Sequence, residues 1–210
     1  PSLVLYLPLW KLDGAKFRSE DAYGHLATVT GALWTPQGRV FDGIDDYIDC
    51  GTSIALRPTY GELTVLAWVR PAIASTEKYF ATLYEANLHN FHFGHTNANK
   101  FYLGVSNTAD GVLIDLTDTT NYTINNWYCV IGGFSTILGV GQLDVNGVIK
   151  ASGATSGSAR TGAATLRIGC RTVSTYFFPG LIGEVIIYRR FLTPIERHSL
   201  YLATKWRYRG

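Results

Sequence analysis

The segment FDGIDDYIDCG, residues 41–51, sets four carboxylates, Asp42, Asp45, Asp46 and Asp49, within eight positions. Carboxylates at that density can do three things. In glycoside hydrolysis one serves as acid and another as base or nucleophile, about 5–10 Å apart across a sugar-sized cleft. Asp42, Asp45 and Asp46 crowd too near one turn to flank such a cleft by themselves. They can also hold calcium, which takes about six to eight oxygens, once a second segment closes the cage. Asp13 in KLDG and Glu184 in GLIGEV are the candidates for that segment, so a structural Ca²⁺ would use Asp13, Asp42, Asp45, Asp46 and Glu184; no other cofactor is expected. Lastly they can serve the chain itself, because Asp caps backbone N–H groups in turns, and strand RVF, turn DGIDD and strand YIDC read as a hairpin. Glu184 has the alternative of a salt bridge to Arg189 or another arginine.

Other reactive side chains offer less. In HNFHFGH, His89 and His95 share a strand face but stand about 20 Å apart at about 3.3 Å per residue, while His92 points the other way. A straight strand therefore gives no three-histidine zinc site. Cys50, Cys129 and Cys170 are odd in number and too widely spaced for a CxxC-type zinc pattern. They read as buried thiols, with one disulfide plus a leftover as the alternative. Neither a GxSxG elbow nor a GxxxxGK phosphate loop occurs.

These groups must be positioned by short strands. ELTVLAWVRP, KYFATLY, FHFG, KFYLGV, NWYCVIGGF and EVIIYRR alternate at period two, are rich in β-branched and aromatic residues, and are punctuated by Gly, Asn, Asp, Ser and Thr. Asn146-Gly147 between alternating apolar residues predicts a type I′ hairpin, whose central positions both need positive φ. The Ser/Gly/Ala-rich stretch 152–164 reads as a loop and a modest strand, because TLRIG follows at once. One helix is expected, where Thr193, Pro194 and Glu196 form a capping box. Ile195, Leu200, Leu202 and Trp206 offer it an apolar side to pack on. Many short strands with one short C-terminal helix predict an all-β fold, a two-sheet antiparallel sandwich.

The 210 residues are 47% hydrophobic and 16% charged, which suits a single globular domain over 1–210. A net charge of +2 is too mild to imply nucleic acid, and the basic end of the chain (Arg189, Arg190, Arg197, Lys205, Arg207, Arg209) reads as a solvated face. Apolar runs stay far below the roughly 18 residues of a membrane span, so no membrane insertion is expected. The chain opens at Pro1 and holds no methionine, which reads as a processed product or a piece of a longer protein.

LYLPL, RVFDGIDDYIDCG, LTVLAWVRP, NNWYCVIGGF, QLDVNGVIKASG, LRIG and GLIGEVIIYRRFLTPIE occur in the order and spacing of the laminin G-like, concanavalin A-like jelly-roll family, which this chain resembles over nearly its whole length and whose pentraxin branch is its best known relative. The resemblance implies a jelly-roll sandwich and a fold that serves lectins, adhesion modules, glycosidases and virion proteins alike. Pentraxins hold a ligand-binding calcium in an acid- and amide-rich loop after the strand matching LRIG. Cys170, Arg171 and Thr172 stand there instead, so that site is not expected. The alternating Glu-x-Asp-x-x-Glu strand of related glucanases is also missing.

A non-catalytic, lectin-like binding or adhesion module follows as the expected function, on a secreted, cell-surface or virion protein, with a glycan or a protein surface as partner. The alternative is a self-assembling structural subunit of a capsid, fibre or filament, which would make the chain a homo-oligomer. A glycosidase ranks last. Aromatic faces stack on sugar rings and anchor interfaces, and several aromatics fall near turns. Tyr84, Glu85 and Asn87 in LYEANLHN and Tyr176, Phe177 and Phe178 in STYFFPG are the expected ligand-binding residues, displayed by loops at one rim. In an extended segment Phe177 and Phe178 would face opposite ways, leaving one exposed.

Overall fold

The computed structural model describes residues 2–85, 88–109 and 111–208, the side chains of 85, 88 and 89 excepted. In chain order its strands are β1 (Leu3–Leu7), β2 (Lys16–Arg18), β3 (Leu26–Thr30), β4 (Leu33–Thr35), β5 (Gly38–Asp42), β6 (Tyr47–Asp49), β7 (Glu62–Pro71) and β8 (Lys78–Glu85). They continue with β9 (Leu88–His95), β10 (Phe101–Ser106), β11 (Val112–Thr117), β12 (Tyr128–Ser135), β13 (Val140–Val145), β14 (Val148–Ala154), β15 (Thr165–Ile168) and β16 (Pro179–Tyr188). Helix α1 (Pro194–Thr204) follows, then a 3₁₀ turn over Lys205–Tyr208.

The first sheet runs β14-β13-β12-β7-β16-β5-β4, with β1 also paired to β16. The second runs β11-β10-β9-β8-β15-β6-β3-β2. Every strand pair is antiparallel, so the expected sandwich is found. Period-two alternation sends Phe101, Leu103 and Val105 of β10, Phe91 and Phe93 of β9 and Val65, Ala67 and Val69 of β7 into one apolar cluster between the sheets. Phe80 meets the edges of Phe93, Phe101 and Phe178 there at centroid distances of 4.8, 6.2 and 5.9 Å. A fully buried ring of this kind stabilises the fold by about 1.5–3 kcal/mol.

At the β13–β14 turn Asn146 has φ 52° and Gly147 φ 78°, the backbone that a type I′ turn demands. The Asp-rich turn is different from the expected hairpin. β5 pairs with β16 and β4, whereas β6 pairs with β15 and β3, so residues 43–46 carry the chain from the first sheet to the second. Phe41 and Ile48, on either side of the turn, enter the core from opposite sheets.

Helix α1 starts where expected: Thr193 Oγ1 accepts from the Glu196 N–H and the Glu196 carboxylate accepts from the Thr193 N–H. Its docking face is not the expected one. Ile195, Leu202 and Trp206 are exposed. Arg197, Leu200, Tyr201, Thr204 and then Tyr208 turn inward over the outer face of the first sheet. Arg197 is fully buried, with Nε donating to Asp144 at 2.9 Å and its other nitrogens to the Leu192 carbonyl and Gln142 at 2.6 Å each. Trp68 stacks on Tyr208 at 4.4 Å and donates its indole N–H to Thr204. A polar anchor can take the place of an apolar stripe because the buried charge is paired and each guanidinium nitrogen has an acceptor. All three cysteines are free and buried.

Candidate functional site on the open face of the second sheet

Among the described residues no helix covers the outer face of the second sheet as α1 covers the first; a loop covers part of it, burying Tyr79 and Thr82, and the outward side chains left accessible decide its chemistry. In β8 the register slips between Tyr79 and Ala81. The bulge puts both Phe80 and Ala81 in the core and leaves Tyr79, Thr82 and Tyr84 on the outer side. Thr82 lies across from His92 of β9 and from Arg167 of β15. Tyr102 and Gly104 of β10 and Asp115 of β11 continue the same face toward the sheet edge. Glycine has a use at two of these positions. A Cβ on Gly94 would lie 2.8 Å from a ring carbon of Tyr79, and one on Gly104 would strike the Tyr102 phenol. A side chain at Gly104 would displace the Tyr102 ring, whereas one at Gly94 would meet the Lys78 carbonyl first.

The loop 171–178, between β15 and β16, folds back over this face. Arg171 N–H bonds the Thr175 carbonyl, Thr172 and Thr175 share a hydroxyl contact of 2.7 Å, and Phe178 N–H returns to the Gly169 carbonyl. At its crest Tyr176 sits at φ 60°, a left-handed backbone that is costly for a bulky residue. The strain brings its ring over the sheet. Arg171 and Tyr176 stack at 3.9 Å, Arg171 reaches the Tyr84 ring at 5.4 Å, Tyr84 meets His92 at 5.4 Å, His92 meets Tyr79 at 5.0 Å, and Tyr79 meets Tyr176 edge-on at 5.6 Å. Five side chains thus close a ring of contacts on the sheet. Beside it, a hollow of about 220 Å³ is lined by His92, Tyr102, Gly104, Ser106 and Asp115.

Two phenols on the face are tied to carboxylates. Tyr79 Oη donates to Glu77, and Tyr102 Oη to Asp115 at 2.8 Å. Burial first, and then the hydrogen bond to the carboxylate, push both phenols well above the ordinary tyrosine range. They are held protonated, as hydrogen-bond donors and not as nucleophiles.

Of the residues expected to bind ligand, Tyr84 and Tyr176 come together here, joined through Arg171. They meet on the sheet, not on a bare rim loop. Phe177 and Phe178 are both buried, contrary to the expectation that one is exposed. The segment is a loop in which Tyr176 reverses the backbone, so strict strand alternation does not apply, and Phe178 packs between Phe80 and His95. Asn87 and the side chain of Glu85 lie outside the described residues. Residues passed over by sequence reasoning are Tyr79, His92, Tyr102 and Arg171. The available signal was the outward half of the alternation in KFYLG and FHFG, where each apolar partner faces in.

The aspartate cluster lies elsewhere. Carboxylate oxygens of Asp42, Asp45 and Asp46 gather within 4.8 Å of one another, and these three would hold a cation if one binds. The turn already uses them: Asp42 Oδ1 accepts from the Ile44 and Asp45 N–H groups, and Asp46 Oδ2 accepts from the Asp42 N–H. The other two expected ligands do not join. Arg39 takes the Asp13 carbonyl at 2.8 Å. Glu184 is buried on the outer side of the first sheet, accepting from the Tyr6 phenol at 3.2 Å and lying 3.6 Å from Arg207. The expected cage fails because β16 is bulged at Gly183, which turns Glu184 toward Tyr6 and Tyr208. His95 faces the core, with Nδ1 3.1 Å from the Tyr122 hydroxyl, and burial depresses its pKa to about 4.

The model of the concanavalin A-like lectin/glucanases superfamily matches residues 42–196. No curated protein matches the chain in sequence. Among solved structures, the receptor-binding domain of botulinum neurotoxin C/D mosaic serotype superposes with a TM-score of 0.76 at 14% identity, covering 97% of this chain and 51% of that one. The botulinum neurotoxin serotype G binding domain gives 0.77 at 15% identity over 97% and 51%. A Trypanosoma rangeli sialidase gives 0.72 at 16% identity, covering 100% of this chain and 34% of that one. The chain thus spans about half the length of the toxin binding domains it resembles, and at these identities the likeness shows the fold.

Proposed function

From the premise that this chain belongs to the concanavalin A-like lectin/glucanases superfamily, we propose that it is a non-catalytic, secreted or cell-surface binding module that holds a glycan on the open face of its second sheet. The observation that carries the reading is the closed ring of Arg171, Tyr84, His92, Tyr79 and Tyr176, in which Tyr79 is buried as a support and the other four stay partly exposed. Aromatic faces suit the apolar faces of sugar rings, and the adjoining donors and acceptors, Tyr102, Asp115 and Ser106, suit hydroxyl groups. The structurally similar toxin domains are receptor-binding domains by name, which supports a binding role. A non-catalytic role is supported by the phenols being held protonated and by two carboxylates on the face, Glu77 and Asp115, already accepting from a tyrosine.

A glycan array probed with the wild-type protein and with Tyr84→Ala and Tyr176→Ala tests the reading. Wild-type binding that both variants lose, with unchanged melting temperature and unchanged mass by light scattering, is the expected result. Unaltered glycan binding by both variants would sink it. Variants that instead change the oligomeric state would mark the face as an assembly surface.

A further inference from the structure

We infer that the glycan held on this face is an acidic one, carrying a carboxylate or a sulfate, and that Arg171 is the residue that reads its charge; the inference rests on the glycan-binding reading above.

Arginines in a folded protein ordinarily meet a carboxylate or a set of carbonyls. Among the described residues the ion pairs are Lys11–Glu20, Arg190–Glu196, Arg197–Asp144 and Arg207–Glu184. Arg171 is in none of them, and its Nε is buried and finds no acceptor. What holds it is aromatic: the Tyr176 ring at 3.9 Å and the Tyr84 ring at 5.4 Å. A guanidinium stacked on rings uses its flat faces; with Nε buried, its two terminal Nη groups are the ones that can meet a carboxylate or sulfate in a two-point fork. The stack also fixes the side chain in advance, so less conformational freedom is lost when an anion arrives.

The surroundings give the face a polarity. Glu77 and Asp115, each bonded to a tyrosine, lie with Tyr79 and Tyr102. Arg171, just past β15 and beside Tyr84 and Tyr176, lies across the face from Asp115 of β11, whereas Glu77 bonds Tyr79, which itself meets Tyr176. A neutral sugar would take only hydroxyl hydrogen bonds from Arg171, whereas an anion would also meet its charge. An acidic sugar has one orientation that places its anion on Arg171, its ring against Tyr84 or Tyr176, and its hydroxyls toward His92 and Asp115. The strained backbone of Tyr176, φ 60°, agrees with this, since the left-handed turn is what sets that ring against the guanidinium.

The experiment is calorimetric titration of the wild type, Arg171→Gln, Arg171→Lys and Tyr84→Ala with three probes: an oligogalacturonate, the same oligomer with its carboxyls reduced to alcohols, and a sulfated oligosaccharide. The wild type is expected to bind at least one acidic probe ten times or more tighter than the reduced oligomer, less tightly as NaCl is raised. Arg171→Gln should erase that preference with its melting temperature intact, and Arg171→Lys should restore only part of it. The two acidic arms tell a carboxylate reader from a sulfate reader. Equal affinity for acidic and reduced probes, or an acid preference that survives Arg171→Gln, overturns the inference alone. Loss of all binding in Tyr84→Ala would still uphold the glycan reading in those cases. Absence of binding to every probe by the wild type overturns the inference, while the wider glycan reading then stands or falls on the array.

Discussion

The two outer faces of this sandwich are built by the same alternation and end in opposite conditions. On the first sheet α1 and the 3₁₀ turn lie over Trp68, Cys129, Ile131 and Ile186. On the second, Tyr84, Tyr102 and Tyr176 stay half-exposed. The contrast is sharpest in two arginines. Arg197 is fully buried, and its charge is cancelled by Asp144 at 2.9 Å. Arg171 is half-exposed, backed by tyrosine rings and matched by no carboxylate among the described residues. Arg197 serves the fold and meets its counter-charge inside it. Arg171, with no counter-charge among the described residues, has room for a charge from outside.

The contrast breaks most violently at Arg197. Replacing it by Met strands the Asp144 carboxylate in the interior and should cost about 3–5 kcal/mol, read by urea unfolding. Replacing both members, with Arg197→Met and Asp144→Leu, should recover part of that loss. Glycan binding by the surviving folded protein should be unchanged if the two faces are as separate as they look.

The underside of the open sheet supplies the next effect. Burial depresses the His95 pKa from 6.5 to about 4, so the unfolded chain takes up the proton first as the pH falls. Its contribution is intact above about pH 6.5 and is lost as the pH drops toward 4, with a ceiling of about 3 kcal/mol. The His95→Asn variant should show a flatter melting temperature between those pH values than the wild type. An equally steep acid limb in the variant would place the titrating group elsewhere.

Two smaller effects belong to the open face itself. If the left-handed backbone of Tyr176 is strained, Tyr176→Gly should be more stable than Tyr176→Ala by about 1 kcal/mol, measured by thermal unfolding of the pair. Tyr84→Ala should change stability by less than about 1 kcal/mol while weakening glycan binding about tenfold, the loss of roughly one stacking contact. A Tyr84→Ala variant that unfolds as readily as Arg197→Met would erase the difference between the faces.

How much of this was legible in the sequence depends on how local the cause is. The Asn146-Gly147 turn and the Thr193 capping box were legible because each is decided within four residues. The sheet change at residues 43–46 was not, because a short turn serves a hairpin and a crossover equally. The choice is made by the distant partners β16 and β15. The docking face of α1 was misread for a related reason: Ile195 and Leu202 satisfy a helical stripe, yet Asp144, 53 positions from Arg197, decides which side turns in. Tyr84 and Tyr176 could be found as aromatics beside turns. Arg171 could not, because its neighbours are set by a loop folding back on a strand 87 residues away from it, at Tyr84.

The three thiols of Cys50, Cys129 and Cys170 are buried, and burial pushes each well above the ordinary cysteine range, Cys170 to about 12. Maleimide and similar reagents attack the thiolate, so the folded protein should remain unlabelled at neutral pH. A single cysteine introduced at the exposed position Thr117, on the edge strand of the open sheet, would then carry a fluorophore alone. It could report occupancy of the neighbouring face without any native residue being removed.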